Sequence, residues 1–414
     1  MDDINNILSQ GVLINSDAPL TGFIYKAAET CRENKEDLRE VGLSFGECLA
    51  ATFDLAISGV YAEKVGNNGW VFCRNNKDGK NPVLLYPFVN ACPRCSARNE
   101  FIFIPSKKPE SAVIGRNTSL ILATIFQYLS NMNVGETCKV YTLRGSGIVD
   151  AFIRQDEKIC LLEIKAAPLV TFPFSTDTED LTYSDAEGSS VADDHQQIVA
   201  TGLKESDISI FLVNVGEKIN LGPRIENGIW PFNKLTELTQ DYGRFKTYLM
   251  AWKDVYDRYS GRSSRSNSYW LANGCGQPVP RSASWPARRV GSGFESISDS
   301  KCSVGMDRTD DIKKGIYQVL KIGTHYKEFH QQKDFKVVTA LASNMHAIRH
   351  HDDYLKEFED IIWSIDSSDR PYKIIKSKSG WTIPIEGVHS LYDGLVSLTR
   401  MYARDEWIKR MLTI

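Results

Sequence analysis

The sequence predicts an α/β chain of the α+β kind: a mixed β-sheet flanked by helices, with extra helical segments and a small cysteine-bearing element. Three observations predict this fold. The helical pattern "NTSLILATIFQYLSNM" runs straight into two strand-like stretches, "GIVDAFIRQDEKICLLEIKAAPL" at residues 147–169. A further strand pattern, "ISIFLVNV", follows a polar interval at 208–215. Towards the C-terminus the alternation resumes as strand "GFESISDSK", helix "RTDDIKKGIYQVLKIGTHYKEF" and strand "FKVVTALAS", ahead of two more helices.

Taken in order, "LSFGECLAATFDLAISGV" opens with Ser44 three residues before Glu47, the spacing of a capping box, which gives Glu47 the role of a helix cap. A cysteine-bearing segment covers 70–105, and Asn117 is the expected N-cap of the next helix. Residues 174–194 read as an acidic loop, and "DHQQIVATGL" reads as a short helix before the 208–215 strand. "PFNKLTELTQDYGRFKTYLMAWKDVYDRY" has the period of one long amphipathic helix. These patterns divide the chain into a helical region with the Cys element at 1–109, a core at 110–257, an Arg/Ser/Gly-rich loop at 258–294 and a strand-helix region at 295–414. No internal repeat is visible.

Composition bounds what the protein does. No window reaches the roughly 18 apolar residues of a membrane span, so no membrane partner is expected. Nine cysteines, an odd number scattered through apolar runs, fit reduced thiols better than a disulfide framework, and the expected compartment is the cytoplasm, of a prokaryote on the reading below. A net charge of -3 argues against a globally basic nucleic-acid coat but leaves room for a local basic surface.

The hairpin carries the chemistry. With Asp156 and Glu157 as a two-residue turn, Gln155 faces Lys158, and counting outward sets Asp150 across from Glu163. Lys165, two residues on, shares their face. Two acids opposed among Val149, Phe152, Leu161 and Leu162 repel each other and lose hydration, so a cation must offset the cost. Lys165 supplies one charge, giving the bland reading of a salt-bridged hairpin. A hard divalent ion held by Asp150, Glu163 and the carbonyl oxygen of Ile164 satisfies the geometry better.

Asp on one strand and Glu-x-Lys on its hairpin partner resembles the PD-(D/E)xK nucleases, to which most type II restriction endonucleases belong. Asp150, Glu163 and Lys165 match residue by residue; Val149 stands at the Pro position. The resemblance covers about residues 110–215 and implies a restriction-endonuclease-like core, Mg2+ as cofactor, and hydrolysis of double-stranded DNA to 5'-phosphate and 3'-hydroxyl ends. It also implies a homodimer on palindromic targets, with a cognate DNA methyltransferase as functional counterpart. A structure-specific repair or recombination nuclease and a non-cleaving DNA-binding protein are the alternatives. An acid on the preceding helix that holds a second metal in such enzymes has no match inside "TSLILATIFQYL"; only Glu110 or Glu47 is available.

Asp299-x-Lys301, on one strand face with Glu295, is an alternative catalytic pair, and the following Asp307 and Arg308 resemble base-reading residues of enzymes that cut CCGG-type sites. Gly315 stands where those enzymes carry an acid. Residues 258–294 hold six Arg and no acid, so Arg281, Arg288 and Arg289 are expected at the DNA backbone; a flexible linker is the plainer reading. Cys92 and Cys95, with Cys73 upstream, have the spacing of half a zinc knuckle, which makes a structural Zn2+ the second expected cofactor and requires a fourth ligand from Cys31, Cys48 or Cys138. "NMHAIRHHDDYL" has no evident metal spacing, and His350, His351 and Asp352 read as a solvated helix start.

Overall fold

Asp156 adopts φ 52°, left-handed backbone that Asp tolerates better than most residues, and the tight turn at 156–157 fixes the hairpin's register. Gln155 pairs with Lys158 and Ala151 with Leu162, and the Asp150 amide donates to the Leu162 carbonyl at 3.0 Å. The predicted register is therefore the observed one. The computed structural model describes residues 4–63, 70–72, 83–87, 111–143, 148–172, 174–176, 183–185, 198–200, 207–212, 214–223, 229–261, 305–307, 309–327, 335–348, 350–360, 363–365, 375–377, 380–382 and 388–414. They fall into two compact units, one of residues 1–15, 122–166 and 309–414, the other of 16–121 and 167–308.

The first unit is built on a seven-stranded mixed sheet whose spatial order follows the chain: β1 (Gly11–Leu13), β2 (Lys139–Leu143), β3 (Ala151–Gln155), β4 (Lys158–Ile164), β5 (Lys336–Ser343), β6 (Gly394–Ser397) and β7 (Met401–Ala403). The first four strands pair antiparallel, β4/β5 and β5/β6 are parallel, and β7 returns antiparallel. Parallel neighbours need a crossover, and the amphipathic helix Thr309–Tyr326 leads into β5. Its buried face, Ile312, Gly315, Val319, Ile322, Gly323 and Tyr326, recurs at helical spacing. Ile322 and Tyr326 join Ile4, Ile7, Phe152, Ile159, Leu161 and Val337 in one core cluster, with Tyr141 stacked on Phe152 at 4.7 Å. Gly323 lets the helix approach the chain closely, since a Cβ there would lie 2.2 Å from the Leu391 carbonyl oxygen.

The second unit holds the helices Pro19–Glu33, Lys35–Glu40, Phe45–Glu63, Trp230–Gln240 and Tyr242–Tyr259. It also holds an antiparallel five-stranded sheet in the order 217–223, 207–212, 174–176, 83–87, 70–72. The capping box is present: Glu47 Oε2 accepts from the Ser44 amide at 2.8 Å, and the Glu47 amide donates to Ser44 Oγ at 3.2 Å. Asp54, wholly buried, accepts from the Leu169 and Val170 amides at 3.0 and 2.9 Å and from Trp252 Nε1 at 2.7 Å, and burial pushes its pKa up to about 8.

Several local expectations are corrected. The helix assigned to start at Asn117 starts at Ser111, so Asn117 is internal and its weak propensity is overridden. Residues 198–200 form a strand paired with 183–185, not a helix, and the 174–194 stretch carries strand at 174–176 and 183–185. The single long helix is two, because Asp241 leaves helical geometry (ψ 89°) and its side chain caps the second by accepting from the Arg244 amide at 3.1 Å. The C-terminal part is richer in strand than its pattern suggested, with β6 and β7 preceding the helix Glu406–Leu412. Among the described residues no helix is long and apolar enough to cross a membrane.

Candidate active site

Asp150, Glu163 and Lys165 lie where the apolar rows of the first unit's sheet run out. On β3 and β4 the residues sharing their face are Phe152, Leu161 and Ile159, all buried core; one further step along each strand brings the acids. Asp150 Oδ2 accepts from the Ile164 amide at 2.7 Å. Glu163 is buried, and its Oε1 accepts from Lys165 Nζ at 2.5 Å. Next door on β5, Leu341 pairs with Glu163, and the Lys165 amide donates to the Ala342 carbonyl at 2.8 Å. The strand carrying Glu163 and Lys165 is thus held from both sides.

The electrostatics follow from that burial. Loss of hydration, then repulsion from Asp150, pushes Glu163 up to about 7, although Lys165 partly offsets both. Burial also raises Asp150, against the Ile164 amide and Lys165. Burial works against the Lys165 ammonium, but Glu163, Asp150 and Asp311 outweigh it and hold its pKa above the usual lysine value. Among the described residues, two carboxylates with raised pKa values share one amine, Lys165. The carboxylate oxygens suit a hard divalent cation such as Mg2+.

Sequence reasoning missed two members of this neighbourhood. Asp311, in the first turn of the helix Thr309–Tyr326, acts electrostatically on Lys165. One turn further along, Gly315 lets the helix lie against the lysine stem: a Cβ there would sit 3.2 Å from Lys165 Cγ and 2.8 Å from Leu341 Cδ1. The signal available was the spacing of four between Asp311 and Gly315, beside an apolar helix stripe.

Other expected residues fare differently. Asp307 is fully buried and its Oδ2 accepts from Tyr259 Oη at 2.6 Å, which ties it into the second unit's core. Glu47 is committed to its cap. Cys31, Cys48 and Cys138 are buried free thiols. Cys73, Cys92, Cys95, Arg281, Arg288, Arg289, Asp299, Lys301, Arg308 and Glu110 lie outside the described residues.

Also in the first unit, His346, His351 and Glu359 converge, one ligand atom from each lying within 4.8 Å of the others. Spacing does not reveal this cluster, because the three are brought together by a turn and two short helices, His351–Tyr354 and Lys356–Asp360. Compared with protein families, curated proteins and solved structures, the chain matches none.

Proposed function

We propose that the chain is a Mg2+-dependent endodeoxyribonuclease of the restriction type, hydrolysing double-stranded DNA at Asp150, Glu163 and Lys165. The observation that carries this reading is the pairing of Asp150 with Glu163 across a buried hairpin, with Lys165 bonded to Glu163. The two carboxylates would hold the cation. Bound there, Mg2+ would lower the pKa of a coordinated water and neutralise charge on the scissile phosphate. Lys165, kept protonated by the acids around it, is a donor that orients the attacking water or a phosphate oxygen. Asp150 is itself oriented by the Ile164 amide, and Gly315 leaves the room that the lysine stem occupies.

On this reading the products carry 5'-phosphates, and a palindromic target would be cut by a two-fold homodimer. The test is incubation of phage DNA with the protein in Mg2+ and in EDTA. Discrete bands in Mg2+ alone are expected; a smear would point to a structure-specific nuclease, and binding in Ca2+ without cleavage in Mg2+ would leave a DNA-binding protein that does not cut.

A further inference from the structure

A cluster of metal-ligand side chains lies in the first unit, apart from the carboxylate pair. We propose that His346, His351 and Glu359 bind a single zinc ion. Two imidazole nitrogens and one carboxylate oxygen form a donor set of borderline softness, which suits Zn2+ and not Mg2+, and three protein ligands leave a fourth position for water.

Two observations beyond proximity support the site. His346 is only 7 % exposed, yet among the described residues its Nδ1 has no hydrogen-bond partner, while its Nε2 lies 3.4 Å from Arg400 Nη1. A buried ring nitrogen left unpaired costs free energy, and a metal would remove that cost. His351 is already oriented as a ligand: its Nδ1 meets Asp352 Oδ1 at 2.9 Å and its Nε2 meets Glu359 Oε1 at 2.6 Å. An outer carboxylate on one nitrogen of a ligating histidine is the arrangement that fixes ring and tautomer at metal sites. His351 Nε2 and Glu359 Oε1 already face each other, so the ion would enter between them.

The rings of His346 and His351 lie 4.7 Å apart, and Tyr402 closes one side at 5.6 and 6.2 Å from them. Arg400, stacked over Tyr402 at 4.3 Å, is a nearby cation held by that ring. The ion would tie the segment following β5 to the helix Lys356–Asp360.

The test is Co2+ and Zn2+ titration of the full chain after dialysis against a chelator, with metal counted by mass spectrometry and Co2+ followed by absorption. Wild type is expected to bind one equivalent with visible Co2+ bands that lack the near-ultraviolet thiolate band a cysteine site would show. His351→Gln and Glu359→Gln should each lose that equivalent, while Glu163→Gln keeps it. Should the ligand variants fail to fold, Asp352→Asn decides, since the Asp352 side chain is 82 % exposed. It is expected to weaken binding by about tenfold to a hundredfold. Unchanged stoichiometry and affinity in the folded ligand variants, or in Asp352→Asn where those do not fold, would overturn the proposal.

Discussion

Replacing Glu163 by Gln should make the metal-free protein more stable and, on the proposed function, abolish Mg2+ binding. Glu163 faces Asp150 inside the sheet, and burial with that repulsion raises its pKa from 4.5 to about 7. At about 1.4 kcal/mol per tenfold change in proton affinity, ionising this group in the fold costs about 3 kcal/mol. The folded value lies above the unfolded one, so the cost is absent at pH below the unfolded value, grows as pH rises, and is complete above about 7. Gln carries no charge at any pH, and its oxygen can still accept from Lys165. The gap in unfolding free energy between Glu163→Gln and wild type, from urea denaturation in EDTA, is therefore expected near zero at pH 4 and about 2–3 kcal/mol in the variant's favour at pH 8. Saturating Mg2+ should then close the gap by stabilising wild type alone, by about 2.7 kcal/mol at a hundred times its Kd. A gap that stays constant from pH 4 to 8 would refute the reasoning, because it would mean that Glu163 is not an uncompensated buried acid.

Mg2+ affinity, measured by calorimetry, should strengthen between pH 6 and 8, because the ion must displace the proton that Glu163 retains up to about 7. Asp54→Ala strands the Leu169 and Val170 amides and Trp252 Nε1 inside the second unit, at about 1–3 kcal/mol for each donor, and chemical denaturation should show a loss of roughly 3 kcal/mol or more. Gly323→Ala sets a methyl against the Leu391 carbonyl and should cost more than Gly315→Ala, whose new methyl meets only side-chain atoms; a thermal melt of the two variants checks the order.

How much of this could be seen in the sequence depended on the range of the interaction. The hairpin register was legible because a two-residue turn fixes parity, and parity decides which side chains share a face. The capping box at Ser44 and Glu47 was legible for the same local reason. The break at Asp241 was hidden, since the apolar period continues across it and only the capping bond of the Asp241 side chain reveals the stop. Residues 198–200 were misread because pairing with 183–185 decides their state, and a run of three apolar residues carries no period of its own. Asp311 and the His346, His351 and Glu359 cluster depend on packing between segments distant or folded back in the chain, which no spacing rule encodes.

The most direct test of the central claim is the Mg2+-dependent cleavage rate of phage DNA by wild type, Asp150→Asn, Glu163→Gln and Lys165→Met, beside Glu47→Gln, whose side chain caps a helix of the second unit. Loss of at least a hundredfold in the three hairpin variants, with Glu47→Gln close to wild type, is the predicted result. Cleavage that survives in Glu163→Gln would contradict the account and move the chemistry away from the hairpin.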